Sequence, residues 1–159
     1  MVKVGSAVDS SRWLPGLRRY FAVMLLGNLV WEVGHLPLYT LWITGTLSEM
    51  AFAVAHCTAG DLLIGAVALL GTLLAVGDAR WPEVGFARVT ALATIAGVAY
   101  TVFSEWLNIG FRGSWAYTAA MPVVPFVGIG LTPLMQWVVV PSAAAWFAHR
   151  HVRQSPQTG

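Results

Sequence analysis

Glu32 and His35 stand three residues apart in WEVGHLPLYTLW, residues 31–42, a run of otherwise apolar and aromatic side chains. Three residues make about one helical turn, so the carboxylate and the imidazole share a face and can exchange a hydrogen bond or a proton. Similar groups recur: His56 and Asp61 in AHCTAGDLL, Glu105 and Asn108 in FSEWLN, and Gln136 in GLTPLMQW. Ionisable groups inside an apolar segment cost several kcal/mol on insertion scales, so those that persist usually face a bundle interior and carry function. Glu32, His35, His56 and Glu105 are therefore the candidate catalytic residues, acting as acid/base pairs. Asn28, Asp61, Asn108 and Gln136 are candidates to support them.

The same four candidates also have metal-ligand chemistry. E-x-x-H on one helix is half of a di-iron carboxylate ligand set, and imidazole with carboxylate suits zinc or iron. Only one such pair occurs, so a mononuclear site from Glu32, His35, His56 and Glu105 fits the sequence better than a two-metal site. A bis-histidine haem b held by His35 and His56 is a weaker reading, because it leaves carboxylates unpaired beside the haem. Each feature also has a plainer explanation. Asn108, Gln136 or a single Glu–His pair can serve as interhelical hydrogen-bond glue. Cys57, the lone cysteine, reads as a small packing residue. GIGLTP, residues 128–133, lacks phosphate-loop spacing. Glue does not require ionisable groups, and it is the collection of them that argues for chemistry.

Composition sets the elements that must position these residues. Of 159 residues, 57% are hydrophobic and 10% charged, with a mean hydropathy of +0.69. Soluble domains carry roughly 25% charged residues, so this is the composition of a membrane protein. Four stretches reach the ~20 apolar residues that a spanning helix needs, at about 20–42, 50–76, 89–109 and 124–147. The expected fold is an all-α integral membrane protein, a single four-transmembrane-helix bundle over residues 1–159. Asn28 and Glu32 interrupt the first stretch, which argues against a cleaved signal peptide.

Charge asymmetry orients the bundle. Eight of the nine Lys and Arg (Lys3, Arg12, Arg18, Arg19, Arg80, Arg88, Arg150, Arg153) fall before the first span, between the second and third, or after the fourth, and only Arg112 falls elsewhere. By the positive-inside rule both termini are expected in the cytoplasm, in a bacterial plasma (inner) membrane. The net charge of +2 then has a topological cause and implies no nucleic-acid partner. Trp13, Trp42, Trp81, Trp115 and Tyr117 fall near span ends and are expected in aromatic belts.

On this topology no charged residue falls in the inner half of any span, and the polar candidates lie at the middle or outer level, as in one outward-facing pocket. His56 and Asp61, five residues apart, differ by about 140° and cannot point at one spot, which leaves Asp61 open to a second cluster. The expected partners are the bilayer, an apolar or lipid-like substrate, and a second copy or another membrane protein. Two further classes stand beside a membrane-embedded enzyme or metal-binding protein. One is a structural or assembly subunit; the other is a proton or metal-ion transfer protein, for which the inner halves offer few polar residues beyond Thr72, Thr90 and Thr94.

Overall fold

A computed structural model describes residues 13–78 and 80–154. Lys3, Arg12 and the tail after residue 154 lie outside the described residues. The chain folds as α1 (Trp13–His35), a 3₁₀ turn (Leu36–Leu38), α2 (Leu41–Thr44), α3 (Leu47–Val76), α4 (Phe86–Glu105) continued by π-helix (Trp106–Arg112), and α5 (Leu131–Gln154). Four helices are long and apolar enough to cross a membrane: Trp13–Leu38, Leu47–Val76, Phe86–Arg112 and Leu131–Arg153.

The boundaries differ from the sequence expectation for local reasons. The first span ends near Leu38 instead of Trp42, because Pro37 has no N–H to donate and disfavours α geometry at Leu36. The second begins at a capping box: Thr46 Oγ1 accepts from the Glu49 N–H, and Glu49 Oε2 accepts from the Thr46 N–H at 2.7 Å. The third runs past residue 109 by widening into π-helix, which Gly113 (φ 62°) terminates. The fourth starts at Leu131 rather than Val124. Pro125 and positive φ at Phe126 and Gly128 fold 124–130 into a turn, closed by a Val123–Gly130 bridge.

The helices pack in a ring: α1 against α3 and α5, and α4 against the same two. Small residues let the backbones approach, as is common between membrane helices. Gly65 of α3 receives the Met24 side chain, and Gly97 of α4 lies under the Trp137 ring so closely that an added Cβ would fall 2.0 Å from it. Tyr20, Met24, Leu69, Val89, Trp137, Val140 and Ala144 then form a continuous apolar core through one half of the bundle. Leu26, Val30, Ile95 and Leu74 point outward and are exposed, so the surface between the helix ends is apolar. Helices with apolar exteriors and the buried polar groups described below fit a polytopic membrane protein.

The start of α1, the α3–α4 connection and the end of α5 share one end of this bundle. Gly16 meets Pro82 and Val152, Tyr20 packs on Trp81 at 6.3 Å, and His149 Nδ1 donates to the Pro82 carbonyl at 2.7 Å. Trp81 is therefore a core residue, 3% exposed, and not part of an aromatic belt. Arg18, Arg19, Arg80, Arg150 and Arg153 belong to the elements gathered here. Arg112 belongs to the opposite end.

Candidate functional site

The half of the bundle away from this apolar core holds a cavity of about 820 Å³. α1 supplies Glu32 and His35; α3 supplies His56, Cys57, Gly60 and Asp61; α4 and its π extension supply Thr101, Glu105, Asn108 and Arg112; α5 supplies Gln136 and Trp137. All eight polar candidates except Asn28 line this one cavity, and Asn28 is bonded to its floor.

At the floor, Gln136 is 3% exposed and is the junction of three helices. Its Nε2 lies 3.1 Å from Asn28 Oδ1, 3.0 Å from Glu32 Oε1 and 2.8 Å from Asp61 Oδ2. An amide nitrogen carries two protons, so three acceptors compete for two donors. Asp61 also contacts Glu32 and the Trp137 indole directly. The sequence left Asp61 open to a second cluster, whereas here it joins Glu32. Matching depth across helices was the available signal, since Glu32, Asp61 and Gln136 all fall near mid-span.

His35 stands one turn above, with Nε2 3.1 Å from Glu32 Oε2. With Glu32 ionised, Nε2 carries the proton and donates, which leaves Nδ1 as the acceptor. Nδ1 is buried and has no hydrogen-bond partner among the described residues. His35 also meets Tyr39 edge-on at 5.2 Å, and Tyr39 meets Tyr117 at 5.4 Å.

Glu105 closes the opposite wall. The Tyr117 hydroxyl donates to Glu105 Oε2 and accepts from the Gly130 N–H at 2.8 Å. Burial, with Glu105 nearby, pushes the Tyr117 phenol well above its ordinary range, so it stays protonated and serves as a donor. Tyr117 comes from the 113–130 connection, which folds back over the bundle. The Thr40 N–H donates to the Ala116 carbonyl at 2.9 Å and the Thr118 N–H to the Leu38 carbonyl at 2.9 Å. Tyr117 was expected in an aromatic belt, and helical periodicity gives no signal for a returning loop. Asn108 donates to the Ser104 carbonyl at 2.9 Å, a bond that helps the backbone turn into the π segment.

His56 stands apart from these networks. It lines the cavity but is exposed and stacks on Phe52 at 5.6 Å. Among the described residues no three His, Cys, Asp or Glu side chains come together as a metal-ligand group. The zinc or iron site expected from Glu32, His35, His56 and Glu105 is therefore not assembled: Glu32 and His35 hold each other, Glu105 is engaged by Tyr117, and His56 faces Phe52. A bis-histidine haem pair from His35 and His56 would have to break the same contacts. No protein-family model, curated protein or solved structure matches the chain.

Proposed function

We propose that this is a polytopic protein of a bacterial plasma membrane, with both termini cytoplasmic, whose outward-facing cavity performs acid–base chemistry on an amphipathic substrate. One observation carries the reading: ionisable side chains from three helices line a single cavity of enzyme-site size inside a bundle with an apolar exterior. Glu32 and His35 are the first acid–base pair. His35 Nδ1 accepts a proton from substrate, while Nε2, hydrogen-bonded to Glu32, spreads the resulting positive charge onto the carboxylate. Glu105 and Tyr117 form the second pair, with Glu105 as the acid–base group and the Tyr117 hydroxyl, itself held by the Gly130 N–H, orienting it. Gln136 and Asn28 hold the floor rigid, and Asp61 adds a carboxylate beside Glu32.

The apolar core favours this over proton or ion conduction. Met24, Leu69, Trp137 and Val140 lie between the cavity and the basic end of the bundle, so the ionisable groups within the spans stop at mid-span. A blind cavity suits a bound substrate, whereas a conducting path needs polar groups on both sides.

Isotope exchange tests the proposal across many candidate substrates at once. Protein in lipid nanodiscs is incubated with a total membrane lipid extract in deuterated water, and components are compared by mass spectrometry with empty nanodiscs. A component that gains mass or deuterium only with the protein, and not with Glu105→Gln, is expected. An extract left unchanged by the wild-type protein would refute acid–base catalysis.

A further inference from the structure

The wall of the cavity is unevenly exposed. The lining residues of α1 and α5, Glu32, His35, Pro133, Gln136 and Trp137, are all buried. Of the exposed lining residues, Phe52 and His56 belong to α3, Tyr100 and Arg112 to α4 and its extension, and Thr44, Gly113, Ser114 and Ala116 to α2 and the connection at the outer end. The cavity therefore opens at its outer end and also sideways, on the α3–α4 side, between Phe52 (70% exposed) and Tyr100 (47% exposed). These apolar faces lie on spanning helices, where the neighbouring solvent on the proposed topology is lipid.

The interior has one electrostatic sign. Glu32, Asp61 and Glu105 line it, and among the described residues Arg112 is the only Lys or Arg in the lining, exposed at the rim about two turns beyond Glu105. A negatively charged head group inside would lie among carboxylates with no cation beside it, an arrangement that low dielectric penalises heavily. Unpaired groups of both kinds lie here: among the described residues His35 Nδ1, Asn28 Nδ2 and Trp115 Nε1 are buried without a hydrogen-bond partner, so a head group that both donates and accepts suits the site.

Resting on the acid–base reading above, we infer that the ligand is a membrane-dissolved amphiphile whose head group both donates and accepts hydrogen bonds and carries no negative charge, a long-chain alcohol or amine. Its head reaches the Glu32–Asp61–His35 floor, and its chain leaves between α3 and α4 into the bilayer. Anionic amphiphiles such as fatty acids stop at Arg112. Gly60, between His56 and Ile64 on the α3 wall, has no atom within 4 Å of an added Cβ, so the passage beside it is open.

Cys57, the chain's one cysteine, lines the cavity one turn before Asp61 and reports on occupancy. Its labelling by lipid-soluble N-phenylmaleimide would be timed in nanodiscs with dodecan-1-ol, dodecylamine or dodecanesulfonate. The alcohol or the amine is expected to slow labelling by about tenfold when occupancy reaches roughly nine-tenths, with the sulfonate without effect. Gly60→Leu is expected to abolish that protection. Equal protection by the sulfonate, labelling that no probe slows, or a Cys57 that the maleimide never reaches would each overturn the inference. Protection measures binding alone, so it can hold even if isotope exchange fails and the catalytic reading falls.

Discussion

Gln136→Leu removes the donor that ties three helices together while keeping an apolar side chain of similar size. Gln136 is 3% exposed and its Nε2 reaches Asn28, Glu32 and Asp61 at 2.8 to 3.1 Å. Interhelical hydrogen bonds in membrane proteins contribute about 0.6 kcal/mol each on average and about 1.7 at most. Two protons serve three acceptors, so two to three bonds are lost, a destabilisation of about 1 to 5 kcal/mol. The loss should sit towards the upper end, because Glu32 and Asp61 both lose the amide that lies between them. Reversible unfolding in mixed micelles, followed by circular dichroism, measures the change directly. Asn28→Leu, which removes one bond of the same network, should cost less than Gln136→Leu, and the two losses should not add because they share a contact. A Gln136→Leu protein as stable as wild type would mean that the three contacts contribute nothing, and the floor would not be a network.

Three other outcomes follow from particular contacts. Tyr117→Phe deletes the bonds to Glu105 and to the Gly130 N–H, so hydrogen exchange should rise across 113–130 while the four long helices keep their protection; unchanged exchange would show that the connection is held by its backbone pairing alone. Asp78 is held down to about 2 by its hydrogen bonds and ion pair with Arg80, and a lowered carboxylate contributes stability above its unfolded value that is lost as pH falls towards 2. Acidification from pH 5 to 2 should therefore lower protection factors, corrected for the intrinsic pH dependence of exchange, in the α3–α4 turn, and Asp78→Asn should remove most of that pH dependence; an equal response in the variant would assign the effect elsewhere. For topology, Ser114→Cys in a Cys57→Ser background should react with an impermeant thiol reagent from outside intact cells, and Gln157→Cys should not. The reverse pattern would place the cavity mouth in the cytoplasm.

The helices and half of the site were legible in the sequence for a simple reason. Residues within one helix share faces at fixed spacing, so the stripe Asn28, Glu32, His35 and the boundary position of Glu49 could be read from position alone. What decides the rest is contact between helices. Asp61 and His56 were separable by angle, yet which one reaches Glu32 depends on how α3 packs against α1, where Gly65 receives Met24. Tyr117 reaches Glu105 because the 113–130 connection pairs with residues 38–40, far away in sequence. The π-helical extension through Arg112 carries no distinctive pattern of residue types. Trp81 illustrates the opposite error. An aromatic near a span end suggests the membrane interface, but a turn that folds under the bundle buries it.

The claim that a buried carboxylate at mid-span does chemistry is tested most directly at Glu32. Glu32→Gln keeps the shape and much of the hydrogen bonding, and removes the group that holds His35 Nε2 and balances its charge. It should be compared with Glu49→Gln at the start of α3, which lies at the helix cap and away from the cavity. Both variants should elute from size exclusion as the wild type does. Isotope exchange into the lipid component should then persist in Glu49→Gln and fall by about 10²-fold or more in Glu32→Gln, the contribution expected of a general acid–base group. A folded Glu32→Gln protein that exchanges at the wild-type rate would contradict the proposal and leave Glu32 as a structural link between helices.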